Sequence, residues 1–286
     1  MRPLRSPEQE PRVLDLDEAA PSVPVIHFDG VDAVARRDAV AAEGPLEIQL
    51  GGASLAVVMR TPGNDQELAL GFLVTERVVA APEQVVSLRH CSLARDPDAR
   101  DNVIRAVLRD DVEVDLERLR RNLYASSSCG ICGKASIENV LASAPPLDDP
   151  ARFSPEFLFR LPAQLRRSQA VFDRTGGLHA AGLFGPDGSL LVVREDVGRH
   201  NAVDKVIGWA LRERRLPLRG HVLMVSGRIS FEVVQKALAG RIPLLAAVSA
   251  PSSLAVELAE SAGLTLVGFL RGRALNVYGQ RERVAA

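Results

Sequence analysis

The sequence predicts an α/β protein of two lobes, a C-terminal three-layer α/β/α lobe and a smaller α+β lobe ahead of it. Three observations predict this. Apolar runs at His221 to Val225, Pro243 to Val248 and Leu264 to Phe269 alternate with helical patterns at Phe231 to Ala239 and Leu254 to Ala262. Such uninterrupted runs suit parallel strands covered on both faces. Gly198 to Arg215 sets Val203, Val206, Ile207, Ala210 and Leu211 on one side of a helix, the spacing of an element laid on a sheet. Before these, from Val23 to Leu108, the signals are mostly short extended segments.

Residues 1–20 carry prolines at 3, 7 and 11 among mixed charges, a composition that cannot offset the entropy of ordering, so a loose tail is expected. Residues 21–120 form the small lobe. Its strands are predicted at Pro24 to Phe28, Pro45 to Leu50, Ser54 to Met59, Val85 to His90 and Val103 to Leu108, with Gly51-Gly52 as a tight hairpin turn. One helix interrupts them, from Asp65 to Val79, with Leu68, Phe72 and Val79 on one side and Asn64 as its cap. Residues 121–286 form the second lobe, where Leu178 to Phe184 and Leu190 to Arg194 pair around Gly185-Pro186-Asp187-Gly188.

Composition narrows the function. With 286 residues, 47% of them hydrophobic, the chain can bury a full core. Its 35 basic and 36 acidic residues leave a formal charge of −1, which gives no general attraction for nucleic acid or an anionic membrane. Any anion site must therefore be local. The uncharged stretch from Ile242 to Val256 is too short and too broken by proline to cross a bilayer, so no membrane insertion is expected. The start of the chain has no apolar leader, and the expected compartment is the reducing cytoplasm, where the three cysteines do not read as a disulfide framework.

In open α/β sheets ligands bind beyond the carboxyl ends of the strands. After the three predicted parallel strands come Ser226-Gly227-Arg228, then Ser249-Ala250-Pro251-Ser252-Ser253, then Arg271-Gly272-Arg273. Hydroxyls, glycines, helix-start N–H groups and forked guanidinium groups are the parts of a phosphate or pyrophosphate cradle. Taken singly, Ser230, Ser252 and Ser253 could merely cap helices and the arginines could be solvated. No Walker or G-x-G-x-x-G fingerprint identifies the anion.

The sharpest local signal is Ser126-Ser127-Ser128-Cys129-Gly130-Ile131-Cys132-Gly133-Lys134, followed by a helical pattern to Leu141. Placed at a helix start beside Lys134, these thiols would favour the thiolate, and the flanking glycines leave sulfur approachable. Two readings compete. Half a zinc site would need ligands from Cys91, His90 or distant histidines, so no metal is expected. A redox dithiol would usually follow the strand of a βαβ unit, whereas Leu116 to Tyr124 reads as charged helix or loop. Cys91 reads as a small buried hydrophobe.

Arg194 to Lys205 crowds charged side chains at a strand-to-helix junction, either as an ion-pair and capping network or as a binding surface. His179, after Gly176-Gly177, reads equally as a site residue or a core histidine. Deaminase chemistry is not expected here, because His179-Ala180-Ala181 lacks the proton-shuttling glutamate and the cysteine pair lies upstream.

Pro45-Leu46-Glu47-Ile48, Thr61-Pro62-Gly63, Leu68 to Glu76, Ser127 to Ala135, Thr175 to Ala181, Arg194 to Lys205, Val225 to Arg228 and Ala247 to Tyr278 together resemble the formate dehydrogenase accessory proteins of the FdhD type. The likeness covers most of the chain from about residue 45 onward; the proline-rich start and Arg95 to Asp101 diverge. It implies a sulfurtransferase, a sulfur carrier that takes persulfide sulfur from a cysteine desulfurase. The carrier delivers it to the bis(molybdopterin guanine dinucleotide) molybdenum cofactor, its bound substrate, for formate dehydrogenase. By the same resemblance Cys129 carries the persulfide and Cys132 assists. Phe269-Leu270-Arg271-Gly272-Arg273-Ala274 binds the cofactor, with GDP as a mimic, and the fold is cytidine-deaminase-like and homodimeric. A thiol-disulfide oxidoreductase, or a cofactor chaperone without sulfur transfer, are the alternatives.

Overall fold

The computed structural model describes residues 15–91, 101–115, 119 and 146–285. Order begins inside the stretch expected as a tail: helix α1 (Leu16–Ala19) is capped by the Asp15 carboxylate, and Ala19 and Ala20 are buried. Strands β1 (Ser22–Asp29) and β2 (Asp32–Ala39) then form a separate antiparallel arm. Ile26 and Phe28 are exposed on one of its faces. At its base the Val40 N–H donates to the Pro21 carbonyl and the Ala42 N–H to the Ala19 carbonyl, at 3.0 and 2.9 Å.

Strands β3 (Gly44–Leu50), β4 (Ala53–Arg60), β5 (Val85–His90) and β6 (Val103–Leu108) make a four-stranded sheet in the order β4-β3-β6-β5. The β3–β4 turn falls on Gly51 and Gly52, both at positive φ, 57° and 94°, a conformation that glycine adopts without steric cost. Helix α2 (Asp65–Thr75) ends earlier than its apolar pattern suggested. Arg77 turns left-handed, φ 62°, and Val78 and Val79 enter the core from the loop. Asn64 holds the capping position but is itself left-handed and makes no side-chain cap; the neighbouring Asp65 pairs with buried Arg60 at 2.8 Å instead.

The second half of the chain contains α3 (Pro155–Arg167), α4 (Ala170–Thr175), β7 (His179–Phe184), β8 (Leu190–Asp196), α5 (Arg199–Arg212), β9 (Val222–Val225), α6 (Phe231–Ala239), β10 (Leu244–Ala247), α7 (Ser253–Ala262), β11 (Thr265–Arg271) and β12 (Ala274–Gly279). Its sheet runs β12-β11-β10-β9-β7-β8. Strands β9, β10 and β11 are parallel, as predicted, while β7, β8 and β12 run antiparallel to their neighbours. Alternation along the strands separates two cores. Met224, Leu244, Ala246 and Val267 face Phe157, Leu158, Leu161 and Leu165 of α3. Leu223, Val225, Leu245 and Leu266 face the other way, sharing a cluster with Val203 and Ile207 of α5, Val234 of α6 and Leu258 of α7.

That second cluster continues through α2 into Leu46, Ile48 and Ile104 of the four-stranded sheet. Helices α2 and α5 meet backbone to backbone: a Cβ on Gly71 would lie 1.8 Å from the Asp204 carbonyl oxygen, and one on Gly208 1.8 Å from that of Glu67. Only glycine permits this approach.

Candidate functional site

The carboxyl ends of β8, β9, β10 and β11 and the start of β7 share one edge of the sheet. Below it lies a buried ionic layer. The Asp196 carboxylate pairs with Lys205 Nζ at 2.7 Å and accepts from the N–H groups of Thr61 and Gly198 and from Asn201 Nδ2. Lys205 Nζ also donates to the Thr61 carbonyl at 2.9 Å, which fastens the Thr61-Pro62-Gly63 loop to the start of α5. Glu67, fully buried on α2, takes Arg194 Nη2 at 2.9 Å and Arg212 Nη2 at 2.8 Å. Lys236 Nζ sits 2.7 Å from Asp204 and 3.0 Å from Thr75 Oγ1; burial pushes the Asp204 carboxyl upward and Lys236 opposes that push. Most of the charge density from Arg194 to Lys205 is therefore structural. The exceptions are Arg199 and His200, which stand at the edge.

The three loops after the parallel strands meet there. The Ile229 N–H donates to the Ala250 carbonyl, the Ser252 N–H to the Ile229 carbonyl and the Phe269 N–H to the Ser249 carbonyl, at 2.9 to 3.1 Å. Their hydroxyls are partly engaged: Ser226 Oγ accepts from the Ala180 N–H at 2.8 Å, and Ser252 Oγ caps α7 by accepting from the Ala255 N–H at 3.3 Å. Ser253 and Arg228 are exposed, and Gly227 backs onto the His179 ring.

The third segment differs from the expected strand-to-helix loop. Strand β11 continues through a bulge to Arg271, and Gly272-Arg273 is the turn of a hairpin into β12, which starts at Ala274. Phe269 holds φ 53° with its ring 42% exposed, whereas the Leu270 side chain is fully buried in the core under α3 and can offer only backbone to a ligand. Arg271 Nε donates to the Val248 carbonyl at 2.8 Å, and the Arg273 guanidinium lies 5.6 Å from the Phe159 ring centre. Cys129 and Cys132 lie outside the described residues. Cys91 is half-buried rather than buried, with Arg105 Nη2 3.9 Å from its sulfur.

Sequence reasoning left His179, Arg199 and His200 undecided, and the structure brings them together. Burial, then Arg199 and Arg228, holds the His179 imidazole below its ordinary pKa. Burial, then Arg199 and Lys236, lowers His200 to about 4, against the pull of Glu232. The signal available in the sequence was the placement of each residue beside a predicted strand end.

Fold and edge define an α/β protein whose sheet gathers cationic and neutral hydrogen-bond donors over a buried ion-pair floor. The chain belongs to the FdhD/NarQ family, whose model matches residues 41–285. It is 53% identical over 263 residues to the sulfur carrier protein FdhD of Mycolicibacterium paratuberculosis, covering 91% of this chain and 97% of that one. The protein of the same name from Streptomyces coelicolor is 55% identical over 254 residues, 87% of this chain and 90% of that one. A crystal structure from Desulfotalea psychrophila, assigned as a formate dehydrogenase accessory protein, shares the fold with a TM-score of 0.74 at 24% identity. The match covers 93% of this chain and all of the other.

Proposed function

We propose that this protein is a cytoplasmic sulfurtransferase of the carrier type: it accepts sulfur as a persulfide on Cys129 from a cysteine desulfurase and passes it to the bis(molybdopterin guanine dinucleotide) molybdenum cofactor, its substrate, in support of formate dehydrogenase. The observation that carries this reading is the family match, which runs through Cys129-Gly130-Ile131-Cys132, to relatives named as sulfur carriers. In the loading step the Cys129 thiolate attacks the outer sulfur of the donor's persulfide. A new S–S bond forms on Cys129, the donor's S–S bond breaks, and the donor cysteine leaves as thiolate with no net oxidation. By the family resemblance, Cys132 assists transfer or release.

The edge supports the second half of the reading, since Arg228 stands on the loop after β9 and Arg271 and Arg273 at the turn after β11, on either side of the loop after β10, with Gly227 half-buried and Gly272 exposed. Forked guanidinium groups and open N–H groups suit the phosphates of a guanine dinucleotide.

Intact-protein mass spectrometry after incubation with a cysteine desulfurase and cysteine tests the loading step. One added sulfur mass is expected, removed by cyanide or dithiothreitol and absent in Cys129→Ala; an unmodified wild-type protein would overturn it. If Cys129→Ala still activates formate dehydrogenase in cells, the protein is a chaperone instead. For the cradle, Arg271→Ala and Arg228→Ala should each weaken GDP binding about tenfold, the worth of one charge-assisted hydrogen bond, and unchanged affinity in both removes it.

A further inference from the structure

At the amino ends of the parallel strands, on the edge opposite the three loops, a guanidinium lies buried among neutral oxygens. Arg283, 5% exposed, belongs to the helical turn Arg281–Arg283 that follows β12. Its Nη1 donates to the carbonyls of Pro243 and Gly263 and to Thr265 Oγ1, at 2.8 to 3.2 Å, and its Nη2 to the Asp149 carbonyl at 3.1 Å. Pro243 immediately precedes β10 and Thr265 opens β11, whereas Arg271 ends β11. At ~3.3 Å per residue this point is about 20 Å from the arginine turn of the other edge.

Carbonyl and hydroxyl oxygens orient this cation without neutralising it. Arg283 forms no ion pair among the described residues, and its Nε is buried without a hydrogen-bond partner. Burial pushes its pKa below the ordinary value, and Asp149 pulls the other way only from beyond ion-pair distance. The Asp149 carboxylate is already taken, Oδ1 by the Ala151 N–H and Oδ2 by the Gly220 N–H, both at 2.9 Å. Nε and Nη2 make up the side of the guanidinium fork that grips a carboxylate with two parallel hydrogen bonds. Of these two nitrogens on Arg283, only Nη2 has an acceptor. A desolvated, charged donor left in that state destabilises the empty protein.

A cavity of about 90 Å³ opens beside Arg283, between the segment 149–152 and the C-terminal turn, lined also by Arg152, Gln280 and Glu282. One water needs roughly 10–15 Å³ of such space, so a ligand of up to about six non-hydrogen atoms fits. Arg152 is exposed, donates to the Glu282 carbonyl at 2.9 Å and pairs with no carboxylate among the described residues. Asp149 and Glu282 also line the cavity and disfavour a doubly charged ion, and a flat fork suits a flat anion. We propose that Arg283 and Arg152 bind a small monocarboxylate, of the size of acetate or formate, in this cavity, with Gln280 as a neutral donor. The site is independent of the sulfur-carrier reading and of the opposite edge. Its ligand joins the segment that leads into α3 to the C-terminal turn and supplies the negative charge that the fold leaves out.

Thermal unfolding and isothermal titration of the full chain with sodium acetate and sodium formate, at an ionic strength held constant with sodium chloride, test this. Both carboxylates should raise Tm in a saturable way that chloride does not reproduce. Arg152→Gln, and Arg283→Lys, which keeps the charge but loses the fork, should each raise the acetate Kd about tenfold. Both variants should respond to GDP as the wild type does. Arg152 is exposed, so its variant tests the site even where Arg283→Lys folds poorly. An acetate effect no larger than that of chloride, or undiminished acetate affinity in Arg152→Gln, would overturn the proposal. Inorganic phosphate binding more tightly than acetate would overturn it too, by making the site one for tetrahedral oxyanions. Acetate binding that persists where GDP fails to bind removes only the cradle proposed above and leaves this site standing.

Discussion

His200 stays neutral because its surroundings exclude a further positive charge. Burial is the largest cause, Arg199, Lys236 and His179 add to it, and Glu232 opposes them, taking the pKa from the ordinary 6.5 to about 4. Between those values the unfolded chain binds the proton and the folded chain does not. The contribution of this group to stability is therefore whole above about 6.5 and is lost as pH falls toward 4. His200→Gln should flatten the dependence of Tm on pH between about 6.5 and 5, above the carboxylate range. Parallel curves for the variant and wild type would contradict the assignment. Single residues also show what sequence could not reveal. Asp196 and Lys205 looked as available for a ligand as Arg199, but they pair with each other, and Thr61, distant in sequence, adds a hydrogen bond to each.

The α2–α5 crossing is the tightest joint between elements, since both helices surrender side chains where they touch. Gly71→Ala or Gly208→Ala would drive a methyl into a carbonyl oxygen, and overpacking of a fitted core costs about 1–3 kcal/mol or more. Each should lower the unfolding free energy measured in urea by at least the upper part of that range; a change under about 0.5 kcal/mol would mean that the helices are free to separate. How readable each element was follows from its surroundings. Helix α5 lies on a sheet with one apolar side, so its period was plain. Helix α2 is buried nearly all round, from Asp65 through Thr75, and so gave an apolar block without a face, which blurred its end. Strand β2 is almost wholly exposed and pairs with β1 alone, so its Ala-Arg-Arg-Asp stretch carried no alternation. Helix α3 did carry signals, a Ser154 cap, Pro155 in the first turn and Phe157, Leu158, Leu161 and Leu165 on one side, but Pro162 interrupts the pattern.

Across the whole molecule, the pattern shift between the halves marks a change of sheet, yet one apolar cluster holds residues of both halves. Sequence placed the three loops correctly because parallel strands oblige their carboxyl ends to share a border. It could not show the hairpin at Gly272, since β12 covers the flank of β11 only through long-range pairing. The order of the strands has one more result. Helices α5, α6 and α7 each leave the sheet from the same side, so their peptide dipoles add instead of cancelling, and the arginines sit at the positive pole. A chain of net charge −1 is thus polarised like a battery, attracting polyanions to one end while remaining electrically balanced as a body. The association rate of a multiply charged nucleotide should accordingly fall as sodium chloride rises from ~0.01 to ~0.15 M, where the Debye length shrinks from about 30 to about 8 Å, although a uniformly spread charge of this sign would make it rise.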